Sequence, residues 1–114
     1  MEIPASHAGD LFGKLDAHVK ILEKHLKNKV IIDDINSTHI DYQVEIAPFV
    51  EIAANNVIKG ETKVEENVRL KENNVIENCL IKKNSVVFYS VLNGVEIEEN
   101  SNIGFVIVGD GAYK

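Results

Sequence analysis

Two different periods of apolar residues divide the chain. Over residues 10–28, DLFGKLDAHVKILEKHLKN, Leu11, Leu15, Val19, Leu22 and Leu26 recur at spacings of four, four, three and four. That spacing sets them on one stripe of an amphipathic helix. Asp16, Lys20, Glu23, Lys24 and Lys27 point the other way. Asp10 is placed to cap the first turn, its carboxylate accepting from free amides, and Gly13 weakens that turn. Ile21 falls off the stripe, which predicts contact with a second neighbour. A lone helix of this kind must bury its stripe on a surface that the rest of the chain supplies.

Beyond residue 35 the period becomes six. Ile40, Ile46, Ile52, Ile58, Val64, Leu70 and Ile76 follow one another at that spacing without a miss. Two residues before the later ones stands a smaller or shorter group: Val44, Val50, Asn56, Thr62, Val68 and Asn74. Six fits neither a helix nor an alternating strand. It fits a short strand followed by a corner, with one large aliphatic turned inward on each flat side. Three sides close a triangular coil of eighteen residues, and Asn-Asn-Val-Ile recurs at that distance, at 55–58 and 73–76. The expected fold is an all-β solenoid, a parallel β-helix of about four triangular coils over residues 36–108, behind an N-terminal segment (1–35) that carries the helix. Residues 109–114 form a tail.

An eighteen-residue coil also predicts which side chains stack. Glu45 lies over Lys63 and Glu51 over Arg69, and Asp41, Lys59 and Glu77 alternate in sign. Strands about 4.8 Å apart bring such groups close enough to favour one register. Asn55 over Asn73 and Asn56 over Asn74 are expected at a corner, where asparagine tolerates left-handed backbone.

The period then slips. Val91, Ile97 and Ile103 restore the six-residue spacing, but Ile76 to Val91 is fifteen residues. The matching segments Val64-Glu65-Glu66-Asn67 and Ile97-Glu98-Glu99-Asn100 lie thirty-three apart. One coil within residues 77–94 is therefore expected to be three residues short. Ile81 and Val87 still face inward on this reading, and Phe88, Tyr89 and Leu92 are left unassigned.

Composition narrows the function classes. The chain has 114 residues, eighteen acidic against twelve basic, for a net charge of -6. An acidic balance argues against nucleic acid or an anionic membrane as the main partner. The single cysteine, Cys79, leaves no internal disulfide and no multi-cysteine zinc site. No basic leader or long apolar run is present, so a small soluble cytoplasmic protein is expected.

The repeats resemble the hexapeptide-repeat, left-handed parallel β-helix family of acyltransferases and nucleotide-sugar enzymes. The left hand comes from that resemblance and runs against the usual crossover rule. LEKHLKNKVIIDDINSTHIDYQVEIAPFVEI is similar to the junction of the bifunctional N-acetylglucosamine-1-phosphate uridylyltransferases/glucosamine-1-phosphate acetyltransferases. There a connecting helix leads through Ser-Thr-aromatic-Ile into the first coils; here the segment reads Ser37-Thr38-His39-Ile40. ENCLIKKNSVVFYSVLNGVEIEEN is similar to the next coils, whose cysteine and Asn-Ser pair match Cys79 and Asn84-Ser85. The resemblance covers roughly residues 15–108 and implies parallel trimers. The family's uridylyltransferase half and its acetyltransferase centre, which follows a segment like Ile-Gly-Pro-Phe-Ala, have no counterpart. Ile103-Gly104-Phe105-Val106 is the last point of likeness. The chain is thus expected to match the middle of such an enzyme, with both catalytic ends missing.

Candidate chemistry points the same way. Acetyl transfer to an amine needs a base and donors for the oxyanion. The histidines, His7, His18, His25 and His39, all precede the second hexad. His18 and His25 lack a carboxylate or cysteine at ligand spacing, so both are expected at the helix–coil boundary. His39 is expected to pack where the family has an aromatic, and His7 to lie in a loose terminus. Cys79 has no histidine nearby and is expected as a buried structural thiol. Glu65, Glu66, Glu98 and Glu99 are expected as solvated corner residues. No catalytic, cofactor-binding or metal residue is assigned.

Two functions remain. One is a truncated, non-catalytic module related to the enzymes of UDP-N-acetylglucosamine biosynthesis, acting as a homotrimeric scaffold or as partner of a full-length nucleotide-sugar enzyme, without a cofactor. The other is a small acetyl-CoA-dependent or nucleotide-sugar transferase with a site between subunits.

Overall fold

The computed structural model describes residues 5–109, the side chains of residues 5–12 and 14 excepted. Helix α1 (Ala5–Lys27) leads into fourteen short strands that run around three parallel sheets. The first face holds β1 (Ile31–Ile32), β4 (Glu51–Ile52), β7 (Arg69–Leu70), β10 (Val86–Phe88) and β13 (Asn102–Gly104). The second holds β2 (His39–Ile40), β5 (Val57–Lys59), β8 (Val75–Glu77), β11 (Val91–Asn93) and β14 (Ile107–Gly109). The third holds β3 (Glu45–Ile46), β6 (Lys63–Val64), β9 (Leu80–Ile81) and β12 (Glu96–Ile97). Each strand pairs in parallel with the strands one coil away, as a β-solenoid requires.

The inward aliphatics from Ile40 to Ile76 are buried as their six-residue spacing predicts, with the smaller corner residues Val44, Val50, Asn56, Thr62, Val68 and Asn74 buried between them. Glu45 stands opposite Lys63, Glu51 opposite Arg69 and Lys59 opposite Glu77. Of these, Glu51 and Arg69 close an ion pair at 2.8 Å.

Two boundaries differ from expectation. Helix α1 starts at Ala5, so Asp10 lies inside it and does not cap it, and His7 is in its first turns. The solenoid begins at β1, which gives nearly five turns where about four were expected. Ile32 pairs with Ile52, twenty residues on, because a 3-10 turn (Ile35–Ser37) lengthens the first corner. Asp34 holds that turn, accepting from the Asn36 amide at 3.2 Å and the Ser37 hydroxyl at 2.8 Å.

The slip is shared among several sides. Inward residues run Ile76, Ile81, Val87, Leu92 and Ile97, so three sides are each one residue short. Leu92 is 1% exposed whereas Val91 is 42% exposed, which corrects the inward placement of Val91. The sequence total of three missing residues holds, but no single coil loses them all. Both Val91 and Leu92 are apolar, and a corner that drops one residue passes the inward place to the second.

Helix α1 lies against the first coil. Leu22 joins the core formed by Val30, Ile40, Val44 and Ile46. The helix ends where Lys29 turns left-handed (φ 66). Val30 N–H then donates to the His25 carbonyl and Lys29 N–H to that of Leu26, both at 3.0 Å, the two bonds of a Schellman motif. The helix buries one edge of the predicted stripe: Leu22 goes inward with its neighbours Ile21 and His25, while Leu15, Val19 and Leu26 remain exposed.

Candidate functional site

The corner residues are the most polar part of the interior, and their bonds run from coil to coil. Asn74 Nδ2 donates to Asn56 Oδ1 at 2.9 Å and to the carbonyls of Lys71 and Val87. Asn74 Oδ1 accepts from the Ser90 amide, and Ser90 Oγ in turn accepts from Val106. Asn56 and Asn74 therefore act as an internal ladder; the left-handed residues at this corner are their neighbours Asn55 (φ 61) and Asn73 (φ 64). At the next corner Thr62 Oγ1 accepts from the Cys79 amide at 3.2 Å. Burial pushes the Cys79 thiol above its ordinary range, which leaves it protonated and unreactive at neutral pH. These groups could polarise a substrate only by giving up a structural bond.

Two histidines meet at the helix–coil seam, and a third on the same helix is buried. His18 stacks on His39 with ring centroids 5.8 Å apart, and His39 Nε2 lies 2.8 Å from Asp41 Oδ1. The Gly60 amide donates to Asp41 Oδ2 at 3.0 Å. That bond, with the His39 contact, holds the Asp41 carboxyl below its usual range. His39 thus packs as expected, though its side chain stays about half exposed. His25 is buried, and its Nε2 has no partner. Burial, and then the nearby charge of Lys24, lower its pKa. Among the described residues no three His, Cys, Asp or Glu side chains converge to hold a metal ion.

Two open grooves run along the outside. The larger, near 430 Å³, brings Lys63 and Lys83 beside Glu65 and Glu99. Part of its charge is engaged: the Lys83 backbone amide donates to Glu65 at 3.1 Å, and Lys83 Nζ lies 3.8 Å from Glu99, while Glu45 and Glu66 also line it. Beside it Lys82 bridges Glu96 at 3.0 Å and Glu98 at 3.3 Å. The second groove holds the Glu51–Arg69 pair together with Asp33 and Lys71. Both grooves are walled by acidic and basic side chains of mixed sign.

The corner of Phe88, Tyr89 and Phe105 was not legible in the sequence. Tyr89 stacks on Phe105 with centroids 5.5 Å apart and 14° between planes, and Phe88 meets Phe105 edge-on at 5.5 Å. Gly104 lies under the Phe88 ring, where a Cβ would collide with it. Once the five-residue sides are placed, Tyr89 and Phe105 fall where Asn55 and Asn73 stand in earlier coils.

Coils, corner ladders and helix define the class: a parallel β-solenoid of hexapeptide-repeat type with a helix over its first coil. No protein-family model matches the chain. Curated relatives do. The chain is 35% identical over 85 residues to a protein named Bifunctional protein GlmU from Caldanaerobacter subterraneus, which is 75% of this chain and 19% of that protein. A protein of the same name from Streptococcus gordonii is 35% identical over 94 residues, 82% of this chain and 19% of its own length. One from Streptococcus thermophilus is 35% identical over 85 residues, 75% of this chain and 18% of its own length. The chain is thus a homologue of these bifunctional proteins and spans about a fifth of their length.

Proposed function

We propose that the chain is a non-catalytic hexapeptide-repeat module, related to the enzymes of UDP-N-acetylglucosamine biosynthesis, that assembles as a homotrimer and serves as scaffold or partner for a larger enzyme. One observation carries this reading. The interior hydroxyl and amide groups of Thr62, Asn56, Asn74, Ser85 and Ser90 take part in hydrogen bonds from coil to coil, and the buried Cys79 thiol donates to the Glu77 carbonyl two residues back. Of the charges that line the grooves, Glu51 pairs with Arg69 and Lys83 with Glu99. The homology over the solenoid gives the metabolic context.

The test is thermal stability with acetyl-CoA, glucosamine-1-phosphate, UTP and UDP-N-acetylglucosamine in turn, beside a mass measurement by light scattering. A ligand at about 100 times its Kd adds about 2.7 kcal/mol, roughly ten degrees for a chain of this size. A module of the proposed kind shows a mass near three times 12.7 kDa and no rise with any of the four. A clear rise with one of them overturns the non-catalytic reading in favour of a transferase with a site between subunits.

A further inference from the structure

The histidines of the chain gather at one place. His7, His18 and His25 lie on helix α1, and His39 lies on β2, the strand that α1 packs against. From residue 40 onward the sequence has no histidine. Histidine is the side chain that ordinarily changes charge between pH 5 and 8. Mild acidification therefore adds positive charge along a single seam and leaves the coils beyond it nearly as they were.

That seam is small. Among the described residues, Leu22 is the one fully buried aliphatic that α1 gives to the core, with Ile21 partly buried beside it. Asn28 Nδ2 adds a bond to the Ile46 carbonyl at 3.3 Å. His25 fills much of the remaining contact at 2% exposure, and its Nε2 meets no hydrogen-bond partner. A neutral ring tolerates that place, whereas an imidazolium brings an unpaired charge into it. The charge that acts on His25 is Lys24 of its own helix, which is of like sign. Lys29, at the end of the helix, reaches over the Phe49 ring. On the coil, Asp41 is bound to His39 and to the Gly60 amide, and Glu45 is exposed. Two turns before His25, His18 stacks on His39 with ring centroids 5.8 Å apart. When both of those rings carry a proton, two cations face each other. Asp41 offsets one of them, and Lys59 nearby adds a further positive charge.

We propose that α1 is a proton-released cover of the first coil: protonation of His25, reinforced by the His18–His39 stack, lifts the helix off the solenoid while the coils stay folded. The helix pivots at Lys29, which already turns left-handed (φ 66). Release withdraws Leu22 from Val30, Ile40, Val44 and Ile46 and opens the apolar end of the first coil to solvent. The direction follows from His25. Its pKa is lowered in the docked helix, and on release the ring returns to the ordinary value near 6.5. Between those two values the released state binds more protons, so docking weakens as pH falls below about 6.5.

Hydrogen–deuterium exchange of the full chain, read by mass spectrometry at about pH 7.5 and about pH 5 and corrected for the intrinsic effect of pH, tests the proposal. Peptides around Leu22 and His25 are expected to lose protection about tenfold or more at the lower pH, the factor that one pKa unit carries. Peptides from β5 and β8 are expected to keep theirs. His25→Gln and His25→Met take no proton, and each is expected to hold the helix equally protected at both pH values. Methionine keeps apolar volume at the seam, so the second variant stays docked where glutamine unsettles it. The double variant His18→Gln/His39→Gln is expected to shrink the pH effect by less than either His25 variant. Helix protection that does not change with pH overturns the proposal. So does loss of protection in helix and coils together, which is unfolding and not release. A pH effect that persists in His25→Met and vanishes in His18→Gln/His39→Gln also overturns it, because the proton then acts at the stack.

Discussion

The first and last coils solve the same packing problem with different parts. From Ile40 to Ile76 every side has six residues, corners of the second face carry Asn55 and Asn73, and Glu51 pairs with Arg69 at 2.8 Å. From Ile76 to Ile97 three sides have five residues and the corner residue is Tyr89. Yet Ile81, Val87 and Leu92 are as deeply buried as Ile52 and Ile58. The inward row is the constant of the fold, and corner length and outward chemistry are free to change around it.

The sharpest way to break that comparison is to attack the inward row in each half. Ile58→Asp and Leu92→Asp each bury an unpaired carboxylate, at a cost of several kcal/mol. Both are expected to abolish the cooperative melting transition seen by circular dichroism. If Leu92→Asp alone is tolerated, the later coils do not share the core of the first.

The corner ladder ranks next. Asn74→Ala deprives Asn56 Oδ1 and the Ser90 amide of partners, for an expected loss of about 2–4 kcal/mol. Asn73→Ala, one residue away, removes an exposed side chain from a left-handed position and is expected to cost about 1 kcal/mol. Chemical denaturation of the two variants checks this order.

A pH series examines the helix end. Folded His25 has a lowered pKa, so between the unfolded value near 6.5 and the folded value the unfolded state binds more protons. Stability is therefore expected to fall as pH drops below about 6.5 and to level off beneath the folded pKa. His25→Gln should flatten that part of a melting-temperature profile. The smallest effect is expected from Glu51→Gln, which breaks an exposed ion pair worth about 0–1 kcal/mol. A larger loss in urea denaturation would give the charged rungs a share in fixing register.

Much of this fold could be read in the chain because one aliphatic per six residues leaves few alternative phases. The reading lost its way where that rule gave no choice between neighbours. Val91 and Leu92 are equally apolar, so a side shortened by one residue passes unnoticed. Ile31 and Ile32 were missed because the turn at Ile35–Ser37 sets them twenty residues from their partners. On the helix, periodicity marked a stripe but not which edge of it meets the coil. His25 is buried while Leu26 is exposed, a result that depends on the entry angle fixed at Lys29. The buried thiol of Cys79 was legible from its small-residue position. The aromatic corner was not, because its match to Asn55 and Asn73 emerges only after the shortened sides are known.

The spacing of paired strands also bears on how the molecule forms. Partners lie sixteen to twenty residues apart at every step from Ile32 with Ile52 to Leu92 with Val108. Each added coil therefore closes a loop of nearly the same size, with nearly the same loss of chain entropy. Assembly can advance like a zipper from a first closed pair of coils, each turn templating the next. Opening runs the same course in reverse from the end that Leu22 does not cover. Amide protons of β14 should then exchange with solvent sooner than those of β5, in a gradient along the axis.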